Sequence, residues 1–109
     1  MEHKYGTFSQ YQIALIKKDL RKSIFFLLLC VDPNTKDEFK EINIEEAFKS
    51  ILYRLGGLNS ILFEPVELVD VISLIEAAYI NVCSDNFDFK VYRKLILDAG
   101  AKVLSIQEV

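Results

Sequence analysis

Residues 65–82, PVELVDVISLIEAAYINV, decide the fold class of this chain. Apolar side chains recur along this segment at intervals of four, three, four and three residues, which matches the period of an α-helix and places them on one face. They are Leu68, Ile72, Ile75, Tyr79 and Val82. Pro65 suits a first helical turn, because its missing N–H would have no partner there. The β-branched residues of 66–74 leave a strand as an alternative, but length and period favour a helix, and its largely apolar other faces predict a central position in the fold.

Two earlier segments, 9–31 and 43–55, show the same helical periodicity. The first is expected to end before Pro33, because proline cannot continue the hydrogen-bond ladder and pushes the preceding residue out of helical geometry. The second is expected to stop at Gly56 and Gly57, because glycine adopts the left-handed conformation common just past a helix end. The apolar residues 58–63 that follow the two glycines are predicted to form a connector, with a short helical turn as an alternative.

A last helix is predicted over 88–106. It begins at Asp88, and Phe87 and Tyr92 stand at the two positions of a hydrophobic staple. Within it, residues 99–101 read Ala-Gly-Ala, a patch of minimal side chains. Because a glycine inside a helix costs about 1 kcal/mol relative to alanine, we expect a close helix crossing at this patch.

These segments predict an all-α protein, a compact, antiparallel, four-helix bundle-like single domain that spans residues 1–109. A chain of 109 residues can bury roughly two-thirds of its unfolded surface without disulfides or metal. The polar residues 1–7 are expected to fray. The predicted helices are 9–31, 43–55, 65–82 and 88–106.

Composition and cysteine placement narrow the functional classes. An apolar content of 51% with 27% charged residues is that of an ordinary globular protein. The apolar run 24–31 is far shorter than the roughly 20 residues of a membrane span. Cys30 and Cys83 lie in apolar segments, which predicts buried, reduced thiols and a cytoplasmic location. Because His3 is the only histidine, no catalytic cysteine–histidine pair is predicted, and no motif predicts a cofactor.

Charge is distributed unevenly along the chain. Between residues 55 and 89 there are six carboxylates and no Lys or Arg, whereas residues 17–22, KKDLRK, contain four cations. A charge pattern of this kind informs association rather than fold or chemistry. We therefore expect the protein to act through contact with another macromolecule.

The first helix carries most of the predicted interaction surface. Its basic side turns apolar toward the helix end, and three apolar residues there lie off the main stripe. Either the other helices cover them, or they form an exposed patch for a protein partner or a second copy, with the cations as a polar rim. The predicted surface comprises Lys18, Arg21, Lys22, Phe25, Phe26 and Leu29, with the acidic Glu67 and Asp70 from the second half of the chain.

The sequence predicts a non-enzymatic protein–protein interaction module of the small helical inhibitor, immunity or adaptor type. Its size and helix count are shared by bacterial immunity proteins and small inhibitors, which is an analogy of fold alone. Two alternatives stay open. Glu67, Asp70 or Glu76 could serve a metal-dependent enzyme or regulator, although helical di-metal sites use Glu-x-x-His motifs that this chain lacks. The basic cluster could serve a nucleic-acid-binding accessory protein, although a net charge of −3 opposes this.

Overall fold

The computed structural model describes residues 2–106, most of which are helical. Met1 and residues 107–109 of the predicted domain lie outside the described residues. The elements, in chain order, are β1 (Glu2–His3), β2 (Gly6–Thr7), α1 (Gln10–Leu29), a 3₁₀ turn (Lys36–Phe39), α2 (Ile44–Ile61), α3 (Val66–Val82) and α4 (Phe89–Leu104).

The four helices contact one another in a closed ring. Each of the first three packs against the next along the chain, and α4 returns to pack against α1. The α3–α4 and α1–α4 contacts are the most extensive, and the α1–α2 contact is the least. Helices α1 and α3 are therefore diagonal neighbours. This arrangement confirms the predicted all-α, bundle-like fold, a compact globule of 43 × 23 × 21 Å.

Side chains at the helix starts satisfy backbone donors that no helical carbonyl can reach. Ser9 caps α1, Asn43 caps α2, and the Asp88 carboxylate accepts hydrogen bonds at the start of α4. The rings of Phe87 and Tyr92 meet at 5.8 Å between centroids, which confirms the predicted hydrophobic staple. Local sequence therefore determines where these helices begin.

The buried side of α3 is rotated from its predicted stripe. Leu68 and Ile75 are fully buried as expected, together with Val71 and Ala78. The other predicted residues are half-buried and pack against the core: Ile72, Tyr79 and Val82. An outward side remains on the helix, so its largely apolar other faces are only partly covered. In a ring of four helices, each helix keeps one side toward solvent. On α3 that side carries Val66, Val69 and Ile80, which are 65%, 40% and 71% exposed.

Two buried hydrogen-bonded ties join α1 and α4. The Tyr92 hydroxyl, near the start of α4, donates to the Leu27 carbonyl in the last turn of α1 at 2.6 Å. The Lys17 ammonium, in the first half of α1, donates to the carbonyls of Leu104 and Ile106 at the end of α4, at 3.0 and 2.8 Å. Each helix thus supplies a side chain that binds the carbonyl end of the other, which requires the pair to be antiparallel.

Burial raises the pKa values of two side chains near the end of the pair where Tyr92 lies. Desolvation, with a smaller contribution from the Cys30 charge, raises the pKa of Tyr92 far above its ordinary value, so the phenol keeps its donor proton. Desolvation also raises the pKa of the half-buried Cys30 thiol. Cys83 is exposed, so the prediction that both cysteines are buried is wrong for Cys83.

Helix α2 does not stop at the two glycines. It continues through Gly56 and Gly57 to Ile61, so the predicted boundary at 55 is wrong, and residues 58–61 of the predicted connector are helical. The helix ends one turn later, where Phe63 and Glu64 adopt left-handed φ values of 64° and 56°. The Glu64 amide donates to the Asn59 carbonyl at 2.8 Å, the long bond of a Schellman motif. The left-handed position is occupied by phenylalanine here instead of glycine.

The N-terminal hairpin is an element that the sequence did not predict. Its strands pair Glu2 with Thr7 and His3 with Gly6. The Lys4 amide at its turn donates to the Ile61 carbonyl at the end of α2, at 2.9 Å. Fraying of residues 1–7 in solution stays a prediction.

Because α2 continues through Gly56 and Gly57, both glycines lie inside a helix, where glycine is less favourable than alanine. A Cβ added at Gly56 or Gly57 meets no atom within 4 Å. We therefore expect Gly56→Ala and Gly57→Ala each to raise the free energy of unfolding by about 0.5–1 kcal/mol in urea denaturation. If the helix instead stopped there with a left-handed glycine, alanine at that position would lower the free energy of unfolding.

Candidate interaction surface

A groove of about 410 Å³ lies between α1 and α4. Lys18, Arg21 and Lys22 line it from α1, and the same helix contributes Phe25. We call it the α1/α4 groove. It brings four of the predicted surface residues together in one place. Its opposite wall, from α4, is formed by Leu97, Gly100, Ala101 and Leu104.

The apolar side chains of the α1/α4 groove are open to solvent. Phe25 is 49% exposed, and Leu97 and Leu104 are 39% and 54% exposed. A contiguous apolar surface beside charged groups is typical of an interaction site. Gly100 contributes to the width of the groove, because a Cβ added there meets no atom within 4 Å. The predicted close helix crossing at Gly100 is therefore wrong.

Phe26 and Leu29 lie outside this groove. The Phe26 ring packs edge-on against Phe39 of the 3₁₀ turn, with centroids 5.4 Å apart. Leu29 is half-buried, and its carbonyl accepts a hydrogen bond from the Thr35 hydroxyl at 2.7 Å. The loop between α1 and α2 therefore covers the end of α1, and of the three off-stripe apolar residues only Phe25 stays exposed.

Lys17 does not belong to the basic surface, although it belongs to the basic cluster in the sequence. Its exposed fraction is 9%, and it ties α1 to the end of α4. It lies four residues after Ile13 and three before Leu20, which are both buried, so it shares their face of α1. Three of the four clustered cations remain to line the groove.

The predicted acidic residues lie away from the α1/α4 groove. The Asp70 carboxylate pairs with Lys102 of α4 at 3.4 Å, and Glu67 is half-buried one turn earlier on α3. Within residues 2–106, no three His, Cys, Asp or Glu side chains are grouped so that they could hold a metal ion. The geometry thus separates the acidic and basic parts of the predicted surface.

A second groove, of about 350 Å³, lies between α1 and α2. Its Arg54 guanidinium forms an ion pair with Asp19 and donates to the Ser23 hydroxyl at 3.1 Å. The charge of Arg54 is therefore balanced within the chain. The α1/α4 groove has three cations and no lining carboxylate, so it is the stronger candidate for binding a negatively charged partner.

Comparison with known proteins adds no functional assignment. No protein-family model matches the chain, and neither a curated protein nor a solved structure matches it significantly. Among the described helices, none combines the length and the apolar character that crossing a membrane requires.

The α4 wall of the groove was missed by sequence reasoning. Leu97, Ala101 and Leu104 recur at intervals of four and three, off the buried stripe of α4. This second apolar stripe was a signal in the sequence. Its place beside the basic side of α1 depends on helix packing, which no local pattern determines.

The different environments of Lys17 and Lys18 predict different effects of the same substitution. Lys17→Met removes the donor to two carbonyls at the end of α4, so we expect a loss of about 1–3 kcal/mol in the free energy of unfolding. Lys18→Met, at an exposed position, should change it by less than about 0.5 kcal/mol. Urea denaturation of both variants measures the contrast, and equal effects would contradict the assignment of Lys17 to the interior.

Proposed function

We propose that this protein is a non-enzymatic interaction module whose α1/α4 groove binds an acidic, amphipathic helix of a protein partner. The proposal depends on one observation: three cations lie beside an exposed apolar floor in this groove. The two helices that form the groove are joined by hydrogen bonds near both ends of α4. A site on rigid helices can bind a partner without the entropy cost of ordering a flexible site.

Binding of a helix in a groove supplies the physical mechanism. The apolar face of the incoming helix would cover Phe25, Leu97 and Leu104 and remove them from water. Carboxylates at the edges of that helix would meet Lys18 and Arg21, which would favour acidic partners and speed their encounter. The apolar floor would provide most of the affinity, and the cations would provide selectivity.

The two alternative functions have less support. Three cations can neutralise only a few phosphates, and the acidic surface of α3 opposes nucleic acid. A metal-dependent role through Glu67, Asp70 or Glu76 has no ligand cluster among the described residues. Both thiols, Cys30 and Cys83, are free, which supports action in a reducing cytoplasm.

Affinity purification of three tagged forms tests the proposal. The forms are the unaltered protein, the groove variant Lys18→Glu/Arg21→Glu, and the control Lys40→Glu/Lys49→Glu, used in nuclease-treated lysate of the source organism and compared by quantitative mass spectrometry. We expect at least one stoichiometric protein with the unaltered and control forms that is depleted about tenfold or more with the groove variant.

The control variant makes the comparison specific. Lys40 and Lys49 are exposed and lie outside α1 and α4, and their reversal changes the net charge as much as the groove substitutions do. Equal recovery of every protein by all three forms would contradict binding at the groove. Depletion with both variants would show a response to net charge alone and would also contradict it.

A further inference from the structure

We infer that the partner helix is α3 of a second copy of this chain. The α1/α4 groove of one molecule then binds the outward side of α3 of another molecule. This inference rests on the proposed function, because it names an occupant of the same groove. It depends on two complementary surfaces that the fold presents on one molecule.

The outward side of α3 has the chemistry that the groove requires. Val66, Val69 and Ile80 lie on this side. Val66 and Val69 are about one turn apart, and Ile80 follows about three turns later on the same face, beyond Ser73. Apolar residues that share one exposed helix face mark an interaction site where they form a patch. We call these three residues the α3 stripe.

Carboxylates flank the α3 stripe. Glu76 is exposed at one edge and has no ion pair within residues 2–106. Asp70 lies at the other edge, where Lys102 balances its charge, so Glu76 is the carboxylate available to the groove cations. No Lys or Arg occurs between residues 55 and 89, so the stripe itself has no cation. The groove has the opposite pattern, with an apolar floor and cations at its edge. Charge and apolar surface are therefore complementary between the two sites.

The positions of the two sites require contact between copies. The groove belongs to α1 and α4, whereas α1 and α3 are diagonal in the ring, so the stripe of a molecule cannot enter its own groove. A groove-to-stripe contact joins two different surfaces and is therefore heterologous. Each assembly would keep one free groove at one end and one free stripe at the other, so it would grow with concentration until the ends met in a ring.

Two surface variants isolate the two halves of the contact. Lys18→Glu/Arg21→Glu reverses the groove and leaves the stripe intact, and Glu76→Lys/Ile80→Lys reverses the stripe and leaves the groove intact. All four positions are exposed, so we expect both variants to fold, as circular dichroism and urea denaturation can verify. In each variant the contact between like charges should be repulsive.

Sedimentation velocity at protein concentrations up to about 1 mM, in low salt, measures association. We expect the unaltered protein to self-associate, each variant alone to sediment as a monomer, and an equimolar mixture of the two to associate again. Mixing restores association because each variant supplies the native surface that the other lacks. The control Lys40→Glu/Lys49→Glu should associate as the unaltered protein does, and moderate salt should weaken every complex.

Other outcomes would overturn the inference. Association of the stripe variant alone would indicate a groove-to-groove dimer, and association of the groove variant alone would indicate a stripe-to-stripe dimer. A monomeric unaltered protein, or a mixture that stays monomeric, would exclude a second copy as the occupant. The affinity purification would then still decide whether the groove binds a different protein, so failure of the inference and failure of the proposed function are distinguishable.

Discussion

The carbonyl ends of α1 and α4 are each satisfied by a side chain of the other helix. Tyr92 reaches the last turn of α1, and Lys17 reaches the end of α4. Carbonyls in these terminal turns have no helical donor, and burying them without a partner would cost about 1–3 kcal/mol each. The two ties lie far apart along the helix pair. They therefore define both its antiparallel direction and its register.

The candidate site is a consequence of that register. Lys18, Arg21 and Phe25 follow Lys17 on α1, and Leu104 is one of the residues whose carbonyl Lys17 binds. The buried lysine and the exposed groove residues are thus parts of one helix contact, with Lys17 inside it and Lys18, Arg21 and Phe25 at its solvent-exposed edge. The groove lies between two helices that are joined by buried hydrogen bonds, and the proposed binding of a partner helix depends on this arrangement.

Sequence reasoning predicted the helices well because their determinants are local. Apolar period, the cap at Asp88 and the staple of Phe87 and Tyr92 act within a few residues. It was wrong at Gly56 and Gly57, where a local preference for stopping a helix was outweighed by the continued apolar stripe through Leu58 and Leu62, which pack against the core.

The candidate site was predictable only in part. The basic side of α1 and Phe25 follow from helical period. The α4 wall, the burial of Lys17 and the covering of Phe26 by Phe39 join residues far apart in the chain. Such contacts depend on how helices pack, and charge pattern alone could not separate a buried lysine from its exposed neighbour.

Native-state amide hydrogen exchange, followed by NMR, tests most directly whether the tied α1–α4 pair organises the fold. We predict that amides of Ile24 and Leu27 in α1, and of Ile96 and Val103 in α4, share one opening free energy equal to that of global unfolding, while amides near Gly57 open at a lower free energy. Opening of α1 or α4 alone, well below the free energy of global unfolding, would contradict this account.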